Sequence, residues 1–278
     1  MSVALFKPAV WSANLLVALR NNLVSENFVN HDYQGEVMGA GSVKINTLGD
    51  ITVKDYDGSD IEYEELSTTD QTLLIDRQKM FGFGVKDVDK AQVVNGGELM
   101  VKAMSNSAYK LADTRDASNF QILVDGAGVE VSTTGAPLTV TTPTEAKAVL
   151  VKLVAAADKA KVPKDGRKVA IGPEFHAQLL ADPYLGLAQP TAEDVLKAGY
   201  VGKLFGLEIY NTNNLPKADG GEYVVLSHPS FMTEASQIEH IEALRDTKNF
   251  QDLVRGLDVS GAKVTRPQGV IKAVVKYQ

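Results

Sequence analysis

The stretch from Val37 to Val85 constrains this chain most, because it alternates like β-strands yet carries little apolar surface. Val43 and Ile45, Ile51 and Val53, and Ile61 and Tyr63 alternate with Lys44, Asn46, Thr52, Lys54 and Glu62. A period of two sends successive side chains to opposite faces of a strand. Turn signals lie at Leu48-Gly49-Asp50 and Asp57-Gly58-Ser59-Asp60, where glycine and short polar side chains reverse the backbone at low cost. A second strand region runs through Leu73, Leu74 and Ile75 toward Phe81-Gly82-Phe83-Gly84-Val85. The pattern predicts a long, polar, two-stranded β excursion. An isolated hairpin is marginally stable in water, so this one needs cover, and a neighbouring copy of the chain is the expected source.

Helical periods flank the ribbon. Trp11, Leu15, Leu19, Leu23 and Asn27 recur every four residues, with Leu16 and Val24 widening the stripe. They predict a helix over Val10–Phe28, packed on its own domain or docked as an arm on a neighbour. A long helix is expected from Asp87 to Asp113, with Val88, Ala91, Leu99, Ala103, Ser107 and Leu111 on one face and Met100 and Met104 beside it. The adjacent Gly96 and Gly97 predict a bend or close packing there.

Thr142-Pro143-Thr144-Glu145 is a capping box with proline at the first helical position, and it opens a helix reaching about Lys161. A strand at Lys168–Gly172, a helix from Pro173, a helix at Thr191–Ala198 and strands at Tyr200-Val201, Leu207–Tyr210 and Glu222–Leu226 follow. Phe231–Leu244 and Leu253–Val264 read as strands around a polar turn at Arg245–Gln251, and Val270–Val275 as a closing buried strand. Without a regular βαβ beat, the fold class is α+β.

Composition removes several functions. The chain of 278 residues is 44% hydrophobic and 23% charged, enough to bury a core without disulfides or metals. It has no cysteine, which excludes thiol catalysis and cysteine-based zinc sites. The net charge of −7, from 35 acidic and 28 basic residues with no basic run, argues against a phosphate-gripping surface. No apolar segment approaches the roughly 20 residues that span a bilayer, and no basic-then-apolar leader opens the sequence.

The motifs for chemistry are missing. His31, His176, His228 and His240 lack the helical spacing of a metal site, and read as surface or capping histidines. No serine sits in a nucleophile elbow. Gly199-Tyr200-Val201-Gly202-Lys203 has two residues between its glycines and Leu204 after the lysine, unlike a phosphate loop. Asp55-Tyr56-Asp57-Gly58-Ser59-Asp60 offers Asp60 and Leu66 where a calcium loop has glycine and glutamate, and reads as an acidic turn. The sequence therefore points to no enzyme, no catalytic residue, no cofactor and no metal.

The order of elements resembles the HK97-type major capsid protein of a tailed bacteriophage. Residues 1–34 would be the N-terminal arm and 35–80 the extended β-hairpin called the E-loop. Residues 81–124 and 230–265 would form the peripheral (P) domain with its long spine helix, and 125–229 and 266–278 the axial (A) domain. The segment Gly202–Pro216 (GKLFGLEIYNTNNLP) resembles a strand pair of the A domain. Arg255–Tyr277 (RGLDVSGAKVTRPQGVIKAVVKY) resembles the family's terminal strands.

The resemblance implies pentamers and hexamers arranged as an icosahedral head around packaged double-stranded DNA, without tight specific DNA binding. The implied partners are other copies of the chain, a separate scaffolding protein, a portal and, as an optional outer partner, a decoration protein, with no membrane. Location in the virion after assembly in the host cytoplasm is implied as well. An encapsulin-like nanocompartment shell is the alternative. Trp11, Phe28, Tyr33, Lys44, Lys54, Asp57, Asp60, Arg77, Arg245 and Asn249 are the expected inter-subunit contacts. Some relatives join subunits through a Lys–Asn isopeptide bond; with Lys44 and Lys54 in the E-loop and Asn249 in the late turn, non-covalent locking is the default expectation here.

Overall fold

The computed structural model describes residues 24–33, 41–48, 55, 68–87, 96–182, 200–218 and 221–277. Its elements in chain order begin with β1 (Ser42–Leu48), β2 (Thr68–Leu74), β3 (Arg77–Lys86), α1 (Gly96–Asp125), β4 (Val129–Glu130) and β5 (Leu138–Val140). Then come α2 (Pro143–Lys159), β6 (Lys168–Ile171), α3 (Pro173–Leu180), β7 (Tyr200–Leu204), β8 (Leu207–Asn211) and β9 (Lys217–Ala218). The last are β10 (Gly221–Ser227), β11 (Met232–Arg245), β12 (Gln251–Val264) and β13 (Ile271–Tyr277).

Near-continuous apolar runs lie at the centre of the largest sheet. Val224, Val225 and Leu226 of β10 and Val270, Ile271, Ala273 and Val275 at β13 are fully buried, as strands covered on both faces must be. This sheet is mixed, in the order β4-β13-β10-β6-β8-β7, with β5 beside β13 and β9 beside β10. Parallel pairs join β6 to β8 and β13 to β4 and β5. Helix α2 packs against β13 and β5 through Ala146, Val149, Leu150, Leu153 and Ala157, all buried.

The capping box at the start of α2 forms as the sequence predicts. The Glu145 amide donates to Thr142 Oγ1 at 3.3 Å and the Thr142 amide donates back to Glu145 Oε2 at 3.0 Å. The Thr141 amide adds a bond of 2.7 Å. These donors, Thr141 first, hold the Glu145 carboxyl down to about 2, because each bond favours the charged form.

A second sheet has the order β11-β12-β3, and α1 packs on β12 and β3. Two expectations change here. The strand reading through Leu73 to Val85 divides in two: β2 ends at Leu74, and β3 begins at Arg77 and pairs with β12. Helix α1 also continues to Asp125 beyond the expected Asp113. Its buried side passes from Leu111 and Ala112 through Asp116 and Asn119 to Phe120, Leu123 and Val124. The apolar period is therefore interrupted by polar residues that are nonetheless buried.

The expected helices over Val10–Phe28 and Thr191–Ala198, the turns at residues 49–50 and 57–60, and the start of the spine helix at 88–95 lie outside the described residues. Of the first helix, Ser25–Phe28 is described, as a 3₁₀ turn.

Candidate assembly surface

The ribbon is rooted in its own molecule. Strands β1 and β2 pair antiparallel from Ser42 opposite Leu74 to Leu48 opposite Thr68. Period-two alternation sends Val43, Ile45, Leu73 and Ile75 to one side, where they pack with Ala235 and Val259 and against Tyr33 and Leu257. The sequence predicted cover from a neighbour; at the root, the β11–β12 sheet of the same chain supplies it. Lys263 Nζ donates to the Thr72 carbonyl at 2.9 Å and Gln71 Nε2 to the Thr265 carbonyl at 3.2 Å. At Gly261 the contact is backbone to backbone: a Cβ there would stand 2.1 Å from the Leu74 carbonyl oxygen, so only glycine fits.

Beyond β2 the chain enters a buried polar knot. Arg77 Nη1 donates to Asn119 Oδ1 at 2.9 Å, and Asn119 Nδ2 donates to Glu234 Oε2 at 2.8 Å and to Ser25 Oγ at 3.2 Å. Arg115 pairs with Asp258, and its Nε lies 3.7 Å from Glu234 Oε1. The Ser25 amide donates to Asp116 Oδ1 at 2.6 Å, and Asn214 Nδ2 donates to Asp113 and Asp116 at 2.9 and 3.0 Å. Asn119, Asp116, Glu234 and Asp258 are all buried. Burial pushes the Glu234 carboxyl up against the pull of Arg115 and Arg77, and pushes the Arg77 guanidinium down. One knot thus ties the end of the ribbon, helix α1, strands β11 and β12 and the segment entering from the N-terminal side.

The far end of the β11–β12 hairpin is shaped by one carboxylate. Asp246 accepts from the Lys248 amide at 2.9 Å, Asn249 Nδ2 at 3.0 Å and Gln251 Nε2 at 2.6 Å. These bonds, the backbone one foremost, hold its carboxyl down to about 2. Arg245 spans Asp87 and Asp252, and its hydrogen bonds, that to Asp87 first, raise its pKa. Phe250 stands 84% exposed on this tip.

The expected contact residues separate into three groups. Trp11, Lys54, Asp57 and Asp60 lie outside the described residues. Phe28 is 1% exposed inside the chain's own core, edge-on to Phe120 and Tyr210 at 5.6 Å each. Arg77 faces inward, into the knot. Tyr33 packs at the ribbon root, Lys44 is exposed on β1, and Arg245 and Asn249 share the hairpin tip. The sequence reading missed Arg115, Asn119, Glu234 and Asp258. The available signal was the i, i+4 spacing of Arg115 and Asn119 between Leu111 and Leu123, on the face that α1 buries.

Among the described histidines, His228 caps a short 3₁₀ turn by accepting from the Ser230 amide at 3.2 Å, and His176 contacts Asn211 at 3.2 Å. Among the described residues no cluster of three potential metal-ligating side chains occurs, and no helix is long and apolar enough to cross a membrane.

A β ribbon rooted on a small sheet, a long helix packed against that sheet and a separate mixed sheet with the main core define an HK97-type capsid fold. A capsid structure of Ralstonia phage GP4 shares this fold at TM-score 0.71 and 12% identity, over 93% of this chain and 91% of the other. The virus-like particle from Pyrococcus furiosus shares it at TM-score 0.58 and 13% identity, over 94% and 96% of the two chains. A chain of Mycobacterium phage Che8 is 32% identical, with TM-score 0.73 over 91% of this chain and 90% of that one.

This chain belongs to the phage capsid protein family, whose family model matches residues 71–273. It is a structural protein of the virion that assembles with copies of itself into a shell. No curated protein matches it in sequence.

Proposed function

We propose that this chain forms pentamers and hexamers that close into an icosahedral head around packaged double-stranded DNA. The carrying observation is the ribbon. Its root has apolar cover within the chain, while residues 49–67 hold only scattered apolar positions among acidic and polar ones. A segment of that composition has too little apolar surface for a core of its own and suits a place where a neighbouring copy covers it. The 32% identity to a phage chain favours a DNA-filled head over a compartment that encloses an enzyme, because the 13% likeness to the Pyrococcus particle concerns the fold alone.

In this reading residues 1–34 are the arm and 35–80 the E-loop. Residues 81–124 with 230–265 make the P domain, and 125–229 with 266–278 the A domain. Trp11, Tyr33, Lys44, Lys54, Asp57, Asp60, Arg245 and Asn249 serve at contacts between copies. Each contact is modest, and closure makes their sum strong. The shell performs no catalysis, assembles in the host cytoplasm with a separate scaffolding protein and a portal, and accepts a decoration protein as an optional outer layer.

Negative-stain microscopy of the chain, expressed with and without its scaffolding protein, tests this reading. Closed particles or capsomers are expected. A uniform compact monomer under every condition overturns it.

A further inference from the structure

The turn joining β7 to β8 is built against the preference of its own side chain. Phe205 has φ of 53° and Gly206 of 78°, so both central residues of this two-residue turn occupy the left-handed region. Asn-Gly and Gly-Gly suit such a turn, whereas a bulky side chain crowds the adjoining carbonyl. Among the described residues Lys161 is the other non-glycine with positive φ, and it sits just past the end of α2, where that conformation is common.

Phe205 recovers little of this cost inside the chain. It remains 49% exposed, and the core that takes in its neighbours Leu204 and Leu207 does not include it. Strand β7 is an edge of the large sheet: it pairs with β8, and no described strand lies on its other side. Sheet edges are where a second chain most readily meets a sheet. Lys203 and Glu208 flank the turn and pair with each other at 3.0 Å, so the tip is locally neutral on a chain of net charge −7. Copies that repel elsewhere can approach there.

A strained backbone position that the molecule's own packing does not require points to a use for the side chain it presents. We infer that the β7–β8 turn is a contact between copies of this chain, with Phe205 as the apolar anchor seated on a second subunit of the shell. This rests on the capsid reading above, which supplies the second copy.

The decisive variant is Phe205→Asn, which suits the left-handed turn better than phenylalanine and removes the ring. Thermal unfolding of the unassembled chain and the concentration threshold for particles, read by sedimentation and microscopy, are compared for wild type, Phe205→Asn and Phe205→Tyr. Phe205→Asn is expected to unfold at the wild-type temperature or higher while its threshold rises about tenfold or more, the scale of one anchoring residue. Phe205→Tyr is expected to assemble close to wild type.

An unchanged threshold for Phe205→Asn overturns the inference. So does a raised threshold accompanied by a lower unfolding temperature, since the ring would then support its own chain. Normal assembly of that variant with lost binding of a co-expressed scaffolding protein assigns the tip to another partner and overturns it equally. Failure of the wild type to form particles removes the capsid reading and this inference together. Wild-type and Phe205→Asn particles formed alike remove the inference alone.

Discussion

Glu234 shows how a single side chain can hold this molecule together without adding much net stability as an ion pair. It is 1% exposed, accepts from Asn119 and faces both Arg115 and Arg77. A buried pair gains little over apolar packing, but removing one member leaves its partners buried with less compensating charge: without Glu234, Arg115 keeps Asp258 and Arg77 keeps Asn119, while both lose a facing carboxylate. Glu234→Ala is therefore expected to lower the unfolding free energy of the unassembled chain by about 3 kcal/mol, measured by chemical denaturation. A loss below about 1 kcal/mol would mean that the knot is not coupled as described. Asp246 makes the opposite case, half-buried at a hairpin tip and bonded by its own turn. Its carboxyl is lowered from the model-peptide value of 3.8 to about 2. The stabilisation it gives is complete above about pH 4 and fades as the pH falls through about 2. The Lys248 amide resonance in the unassembled chain is expected to titrate near pH 2, and a midpoint near 4 would remove that bond from the account.

At the level of elements, the sequence was legible wherever one local rule acted alone. The capping box at Thr142–Glu145, the buried run at Val270–Val275 and the paired strands around Arg245–Gln251 are visible in residue order, because cap chemistry and side-chain period determine them. Helix α1 was truncated in the reading because Arg115, Asp116 and Asn119 interrupt its apolar stripe, although all three turn inward. The division between β2 and β3 was hidden because Ile75 continues the alternation while the backbone passes to another sheet. The knot was illegible for a related reason: its members come from residues 25, 77, 113–119, 214, 234 and 258, and only the fold brings them together. The ribbon supports a test at this scale. Replacing residues 49–67 by a short turn leaves Val43, Ile45, Leu73 and Ile75 on their sheet. The variant is expected to unfold cooperatively and to form no closed particles in the microscope, and normal heads would detach the ribbon from assembly.

For the molecule as a whole, charge sets a further expectation. With net charge −7 and no basic run, the purified subunit should bind double-stranded DNA weakly and without the steep salt dependence of a protein that neutralises many phosphates. A titration across salt concentrations checks this, and tight binding that collapses with added salt would contradict a wall that confines its contents without adhering to them. The intramolecular seat of the ribbon has one more consequence. Because the paired base of β1 and β2 is already seated on its own sheet, it behaves like a clamp that is closed in advance, and that part of the chain needs no ordering by an incoming subunit. The ordering entropy charged to each encounter is correspondingly smaller, so contacts between copies can each be weak and still add up to a shell.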